Sequence, residues 1–344
     1  MVLTWLYAHV ARSRRRSWQQ ASRQRRLERP VISVGNLRVG GSGKTPTVAH
    51  VAALLREMGE RPAILSRGYA RQHTPDGVVV VSDGTQLRAD LPSSGDEPLM
   101  LARALTGVPV LVSRERHLAG VLAERRLGAT VHVLDDGFQH LPLHRDVDLL
   151  VVSQDDVADG RTLPVGRLRE PLDAARCADA VLVPGVSPEA ARELAGRLGV
   201  GTAFAIVRKA EPARRLDLVA AAAPAPLDVP VFAVAGIAHP DRFFAELVAG
   251  GWRVPGTRSF RDHHAYGARD VERISQAARA CGARAVMTTE KDLMRLLPFR
   301  PLPFPLFWVP MTVRIEPAGE FREWLGTRLQ DARAVKAARA GWSG

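Results

Sequence analysis

Residues 31–47 read VISVGNLRVGGSGKTPT. An apolar, β-branched run from Val31 to Val34 stops at Gly35-Asn36. A glycine-rich turn, Gly40-Gly41-Ser42-Gly43, then leads through Lys44-Thr45 into a helical stretch from Val48 to Met58. Strand, glycine loop and helix in that order are the context a phosphate-binding loop requires. Glycines let successive N–H groups curl around an anion without Cβ clashes, and the following helix turns its positive end to the same anion. Lys44 is placed to reach the β- and γ-phosphates of a nucleotide, and the Thr45 hydroxyl to face Mg²⁺. The strict pattern G-x4-G-K-[ST] has glycine where this chain has Arg38. The plainer reading, a glycine-rich turn with a chance Lys-Thr, leaves Lys44 beside three glycines without a reason.

Working outward, residues 30–200 read as repeated strand–helix units. Strands are expected at 31–35, 62–66, 78–82, 109–112, 131–135, 147–152 and 180–184, several of them near-continuous Val/Ile/Leu as in buried parallel strands. Helical patterns lie between them at 46–58, 96–106, 115–127 and 188–198. The alternation predicts an α/β fold, a P-loop NTPase-like doubly wound parallel sheet that binds ligands at the carboxyl ends of its strands.

The 344 residues allow two domains of ordinary size. KAEPARRLDLVAAAAPAPLDV at 209–229 has alanine and proline without periodicity and reads as a linker. A second, smaller α/β pattern follows: strands at 231–237, 283–289 and 306–315, and helices at 240–249 and 271–282. The expected organisation is an arm at 1–29, a P-loop domain at 30–208, a linker at 209–229, a C-terminal α/β domain at 230–328 and a fraying tail at 329–344. Two distant cysteines, Cys177 and Cys281, indicate neither a disulfide framework nor a metal site.

The net charge of +12 is uneven. Residues 1–29 carry eight arginines and one acid, Glu28, hence seven of the twelve net positive charges. The charge describes an arm and argues against a whole-protein nucleic-acid surface. Its apolar start, Met1 to Ala11, is shorter than the ~20 residues that span a bilayer, and it lacks the order of a signal peptide. Trp5, Tyr7 and Trp18 among the arginines suit an interfacial helix on an anionic membrane surface, each arginine adding about 1 kcal/mol there. A solvated charge run and a basic nucleic-acid arm are the competing readings.

VHVLDDG at 131–137 is an apolar strand ending in two carboxylates, the form of a second nucleotide motif in which a strand-end aspartate meets Mg²⁺. In SSGDEP (93–98), Asp96 and Glu97 precede a helix, where helix capping explains them equally well. Arg114 and Arg116 open the next helix, as surface residues or as neutralisers of phosphoryl charge. RDHHAY (261–266) carries Asp262, His263 and His264, suggesting proton transfer more than zinc, since no third ligand lies nearby. TTEKD (288–292) ends a strand, with a capped loop as its bland alternative.

These motifs in one order resemble the tetraacyldisaccharide 4′-kinase family, the lipid A 4′-kinases of Gram-negative bacteria. The carrying residues are VGNLRVGGSGKTP (34–46), LSRGY (65–69), GDEP (95–98), Ser113–Arg116, LDDGFQH with HRD (134–146), LPVGRLREP (163–171), VAGIAHPDRFF (234–244), RDHH and TTEKD. The resemblance implies transfer of the ATP γ-phosphoryl to the 4′-hydroxyl of a tetraacylated glucosamine disaccharide 1-phosphate, a lipid A precursor. It implies a monotopic enzyme on the cytoplasmic face of the inner membrane, reaching lipid through residues 1–29, with ATP and Mg²⁺ as cofactors. Carried over residue by residue, it implies a nucleotide loop of Arg38, Val39, Gly40, Gly41, Ser42, Gly43, Lys44 and Thr45. Arg116, Gln139 and Glu170 would lie near the nucleotide, and Thr45, Asp135 and Asp136 would serve Mg²⁺. Lys44 and Asp96 would be catalytic, Asp96 accepting the sugar hydroxyl proton. His263 of the second domain would be its partner as an imidazolium, assembled by domain closure. Arg167 stands where the family's common form, LPAGPLREP, has proline.

A membrane-associated P-loop ATPase that positions partners is the main alternative; that class carries a lysine where this chain has Val39. A GTPase metallochaperone would need an [NT]-K-x-D motif, which TTEKD does not match. A nucleic-acid-binding protein is disfavoured by charge confined to one arm.

Overall fold

The computed structural model describes residues 2–18, 23–40, 43–69, 71–73, 76–216 and 227–340. It divides into two compact units, residues 1–208 with 313–344, and residues 209–312.

In the first unit the strands are β1 (Val31–Asn36), β2 (Pro62–Ser66), β3 (Val79–Asp83), β4 (Pro109–Val112), β5 (Val131–Asp135), β6 (Val147–Val151), β7 (Ala180–Pro184) and β8 (Ala203–Ala210). The second unit holds β9 (Arg214–Arg215), β10 (Val231–Ala235), β11 (Gly256–Ser259), β12 (Ala285–Thr289) and β13 (Leu306–Val309), and β14 (Met311–Glu316) returns to the first. The order of the large sheet is β14-β8-β7-β6-β1-β5-β2-β4-β3. Its pairs are parallel from β8 through β4, and β3 runs antiparallel at the edge. β1 and β5 are adjacent, with Val34 opposite Asp135, so the glycine loop and the DDG turn leave the sheet side by side. Strands β1, β2, β4, β5 and β6 are buried throughout, which explains their continuous apolar sequence.

Helices of this unit are α1 (Val2–Trp18), α2 (Lys44–Glu57), α3 (Leu91–Ser94), α4 (Asp96–Ala104), α5 (Arg116–Leu127), α6 (Gln154–Asp159) and α7 (Pro188–Leu198). The smaller unit has the sheet order β11-β10-β12-β13-β9, parallel except for β9. Its helices are α8 (Pro240–Ala249), α9 (Ala268–Ala280) and α10 (Glu290–Leu296). Helix α11 (Ala318–Ala340) belongs to the first unit.

Three expected boundaries are corrected. The second domain ends at Thr312, not 328, because Pro310 interrupts the strand expected at 306–315: β13 stays in the small sheet and β14 enters the large one. The tail from 329 is not frayed up to Ala340. Phe321, Leu325 and Leu329 of α11 are buried, Phe321 meets Phe204 edge-on at 5.0 Å, and Arg333 pairs with Glu60 at 2.7 Å. The expected linker contributes the edge strand β9; its residues 217–226, like tail residues 341–344, lie outside the described residues.

The arm is also more integrated than its charge suggests. Arg15 of α1 is buried, holds both Glu170 carboxylate oxygens at 2.5 and 2.9 Å, and lies 4.2 Å over the Phe138 ring. Arg12 pairs with Asp173 and Arg25 with Glu115, so part of the basic charge is spent within the protein. Leu3, Leu6 and Val10 remain exposed. They form a stripe on the side of α1 opposite Arg15, since nine residues separate Leu6 from Arg15, two and a half helical turns. Among the described residues, no helix is long and apolar enough to cross a membrane.

Candidate active site

The glycine loop takes the conformation its residues demand. Gly40 and Gly43 have φ of +93° and +84°, a region that favours glycine. Gly41 and Ser42 lie outside the described residues. Gly43 begins α2 without a side-chain cap, which leaves the helix's first N–H groups to an anion. Arg38 is not left-handed, so this position does not need the glycine of the strict pattern. Its guanidinium turns to Asp156 of α6 at 3.2 Å. Val39 N–H donates to the Arg167 carbonyl at 2.9 Å, a contact that a proline at 167 would also accept.

Lys44 and the DDG turn meet directly. Lys44 Nζ donates to Asn36 Oδ1 at 3.0 Å and lies 3.4 Å from Asp136. Arg169 grips Asp136 through two bonds of 2.8 and 2.9 Å and also reaches Asn36. Sequence reading missed Arg169, although it adjoins Glu170 in the LREP motif; its partner lies 33 residues earlier. Among the described residues, Asp136 and His263 are the two non-glycine residues with positive φ, at 53° and 57°. Such backbone persists only where the surroundings hold it, often at functional sites.

The two aspartates are driven apart electrostatically. Burial raises the Asp135 carboxyl above the usual range, and the nearby Glu97 and Asp136 charges add to this. Its Oδ2 accepts from the Ser66 hydroxyl at 3.0 Å. Burial opposes ionisation of Asp136 as well, but Arg169 and Lys44 hold it well below the carboxylate range. Gln139 donates to the Asn36 carbonyl at 2.8 Å, while its Oε1 is buried without a partner. An orphaned amide oxygen, the buried Asp135 carboxyl and the buried Thr45 hydroxyl make a hard-oxygen set that fits Mg²⁺. Among the described residues, no cluster of three His, Cys, Asp or Glu could hold a metal. That is compatible with Mg²⁺, which uses one or two carboxylates beside waters and phosphate oxygens, and less so with zinc.

Arg116 is buried at the start of α5, and its Nη1 donates to His140 Nδ1 at 3.1 Å. Burial and then Arg67 lower its guanidinium to about 10, against the pull of Asp135 and Asp136. His140 is pushed down to about 3 by burial and by Arg116, so it is a neutral acceptor. Arg116 therefore lies in the field of the aspartate pair. Glu170 has both its oxygens on Arg15. Asp96 is the first residue of α4, 5% exposed, and its Oδ1 accepts from the Glu97 N–H at 3.0 Å.

In the second unit the two histidines have separate roles. His264 is stacked on Phe260 and bound to Asp270 at 3.0 Å, a structural position. His263 has Arg295 Nη2 3.1 Å from its Nδ1. Arginine only donates, so Nδ1 accepts and the ring proton sits on Nε2. Arg295 is anchored by the Gly236 carbonyl at 3.1 Å and by fully buried Asp292 at 3.2 Å. Asp292 in turn accepts from Gly236 N–H, Tyr266 and Thr289. TTEKD thus forms the capped start of α10, and its last residue supports the His263 turn.

The sequence model of the tetraacyldisaccharide-1-P 4′-kinase family, LpxK, matches residues 1–330. A tetraacyldisaccharide 4′-kinase of Geobacter metallireducens is 41% identical over 280 residues, covering 80% of this chain and 81% of that protein. One of Desulfotalea psychrophila is 37% identical over 306 residues, covering 86% of each. Among solved structures, an "apo" form of LpxK from Aquifex aeolicus in complex with ATP matches at a TM-score of 0.76 and 30% identity. It covers 95% of this chain and 97% of that one.

Proposed function

Since the chain belongs to the tetraacyldisaccharide-1-P 4′-kinase family, we propose a division of labour among its residues in that reaction. The chain is an ATP-dependent tetraacyldisaccharide 4′-kinase of lipid A biosynthesis. The partner-positioning ATPase reading is not favoured.

Loop 38–45 and the start of α2 hold the nucleotide phosphates, and Lys44 exchanges its bonds to Asn36 and Asp136 for phosphate oxygens. Asp96 accepts the proton of the acceptor's 4′-hydroxyl. The 4′-oxygen forms its bond to the γ-phosphorus as the bond to the ADP oxygen breaks, and the electron pair leaves with ADP. Thr45, Asp135, Asp136 and Gln139 would hold Mg²⁺, which supplies charge neutralisation at the phosphates when bound. Arg116 adds positive charge on the same edge. His263 acts as a hydrogen-bond donor through Nε2, a role that orients a carboxylate rather than deprotonating it. The observation that carries this reading is the meeting of Lys44, Arg169 and strained Asp136 at Asn36, a preformed phosphate and metal edge.

The protein docks peripherally on the cytoplasmic face of the inner membrane, presenting Leu3, Leu6 and Val10 to the lipid. The acceptor is thereby reached where its acyl chains reside. Incubation of the purified protein with γ-labelled ATP and the disaccharide 1-phosphate tests the reading: label enters the lipid at the 4′ position, and an unlabelled lipid refutes it.

A further inference from the structure

One guanidinium ties helix α1 to both loops of the phosphate edge. Arg15 Nη2 donates to the Phe138 carbonyl at 3.0 Å and to Glu170 Oε1 at 2.9 Å, and its Nε donates to Glu170 Oε2 at 2.5 Å. Phe138 lies two residues after Asp136, and Glu170 follows Arg169, which grips Asp136 through two bonds. The contacts close a ring that runs from Asp136 through Phe138, Arg15, Glu170 and Arg169 back to Asp136. This ring is fastened to the end of β1 and the residue beyond it. Arg169 N–H donates to the Leu37 carbonyl at 2.6 Å, and Gly137 N–H to the Val34 carbonyl at 3.2 Å. A Cβ on Gly35 would fall 2.7 Å from the Phe138 backbone nitrogen, so only glycine admits the approach.

Burial of the pair has a reason other than stability. Arg15, Phe138 and Glu170 are 5%, 0% and 6% exposed. A buried ion pair gains about as much as its desolvation costs, and well-packed apolar residues often stabilise equally well. Apolar residues cannot donate in fixed directions to acceptors on two separate loops, as a planar guanidinium does. The segment held in this way includes Asp136 at φ +53°, backbone that persists only where its surroundings fix it. Gln139, next to Phe138, donates to the Asn36 carbonyl at 2.8 Å, so the held carbonyl also sets the turn that carries Gln139.

We propose that Arg15 is a positioning residue for phosphoryl transfer. By holding the Phe138 carbonyl and the Glu170 carboxylate together, it keeps Asp136 and Arg169 in register with Lys44, the arrangement that receives the nucleotide phosphates. This deepens the kinase reading and rests on it. Arg15 acts through the two loops, from a helix that precedes the nucleotide loop in the chain.

The test uses Arg15→Met/Glu170→Met, which removes both charges, and reads amide hydrogen exchange on the nucleotide-free protein and steady-state kinetics in neutral detergent micelles. The Gly137, His140 and Arg169 amides, bonded to Val34, Gly137 and Leu37, should exchange about tenfold faster or more. The Val152 and Val181 amides, bonded to Leu182 and Thr202, should be unchanged. kcat should fall on the order of 10–100-fold and KM for ATP should rise, while the acceptor KM holds. Arg15→Lys leaves a charge opposite Glu170 without the guanidinium fork and should show both effects in weaker form. A merely structural role would lower apparent kcat alone and speed exchange throughout the first unit; that outcome overturns the proposal. Wild-type kinetics in the double variant, or a rise confined to the acceptor KM, overturns it as well. A wild type that transfers no phosphoryl group to the lipid removes the kinase reading itself, a separate result because it is read without any substitution.

Discussion

Nη2 of Arg295 stands 3.1 Å from Nδ1 of His263, and the arginine is itself fixed by fully buried Asp292. The relationship decides which nitrogen of the histidine carries the proton. Nitrogen-15 NMR of the wild type should show an unprotonated Nδ1 and a protonated Nε2. Arg295→Met should release the tautomer and lower kcat roughly tenfold or more, while KM for ATP holds. Arg295→Lys should retain part of the activity. A protonated Nδ1 in the wild type would contradict the assignment.

The Arg15–Glu170 pair makes a stability prediction. Both side chains are under a tenth exposed. Glu170→Ala leaves a buried guanidinium uncompensated and should cost about 3–5 kcal/mol in urea unfolding. Arg15→Met/Glu170→Met should cost much less, because neither charge remains. Equal losses in the single and double variants would show that the pair is not the source.

The same latch changes how membrane docking is best probed. Deleting residues 1–29 removes Arg15 and Leu27 from the protein interior along with the exposed stripe. Leu3→Glu/Leu6→Glu/Val10→Glu leaves the latch intact. It should weaken binding to anionic vesicles about tenfold or more, with KM for ATP unchanged. Unaltered vesicle affinity would count against the stripe as the docking face.

Glu290 supplies a pH signature. Burial raises its carboxyl to about 7 from an ordinary 4.5, against the Met311 N–H and Arg214. Because the folded value is the higher one, its contribution to stability is full below about 4.5 and is lost as pH rises through about 7. Glu290→Gln should therefore raise Tm at about pH 8 and make little difference at about pH 4. A Tm gain independent of pH would refute this.

Much of the first unit was legible because its signals are local. The β1 run, the glycine loop and the DDG strand end are contiguous stretches, and buried parallel strands declare themselves as apolar runs. Arg169, Arg15 and Arg295 were not legible, because each acquires meaning from a partner brought in by folding. Arg15 and Glu170 are 155 residues apart, and Arg295 and His263 are 32 apart. The bond of Glu170 to α1 was hidden for the same reason: nothing in its own motif points to Arg15. The second boundary was hidden because LFWVPMTVRI reads as one strand until Pro310 divides it between two sheets. Strand β8 escaped because its apolar half, Ala203 to Ile206, gives way to exposed Arg208 and Lys209.

The central claim is that Asp96, at the head of α4, takes the proton from the acceptor hydroxyl. Asp96→Asn keeps the shape and removes the base. Transfer of label from γ-labelled ATP to the disaccharide 1-phosphate should fall on the order of 10²–10⁴-fold in this variant, with ATP affinity preserved. Transfer at the wild-type rate by Asp96→Asn would contradict the account.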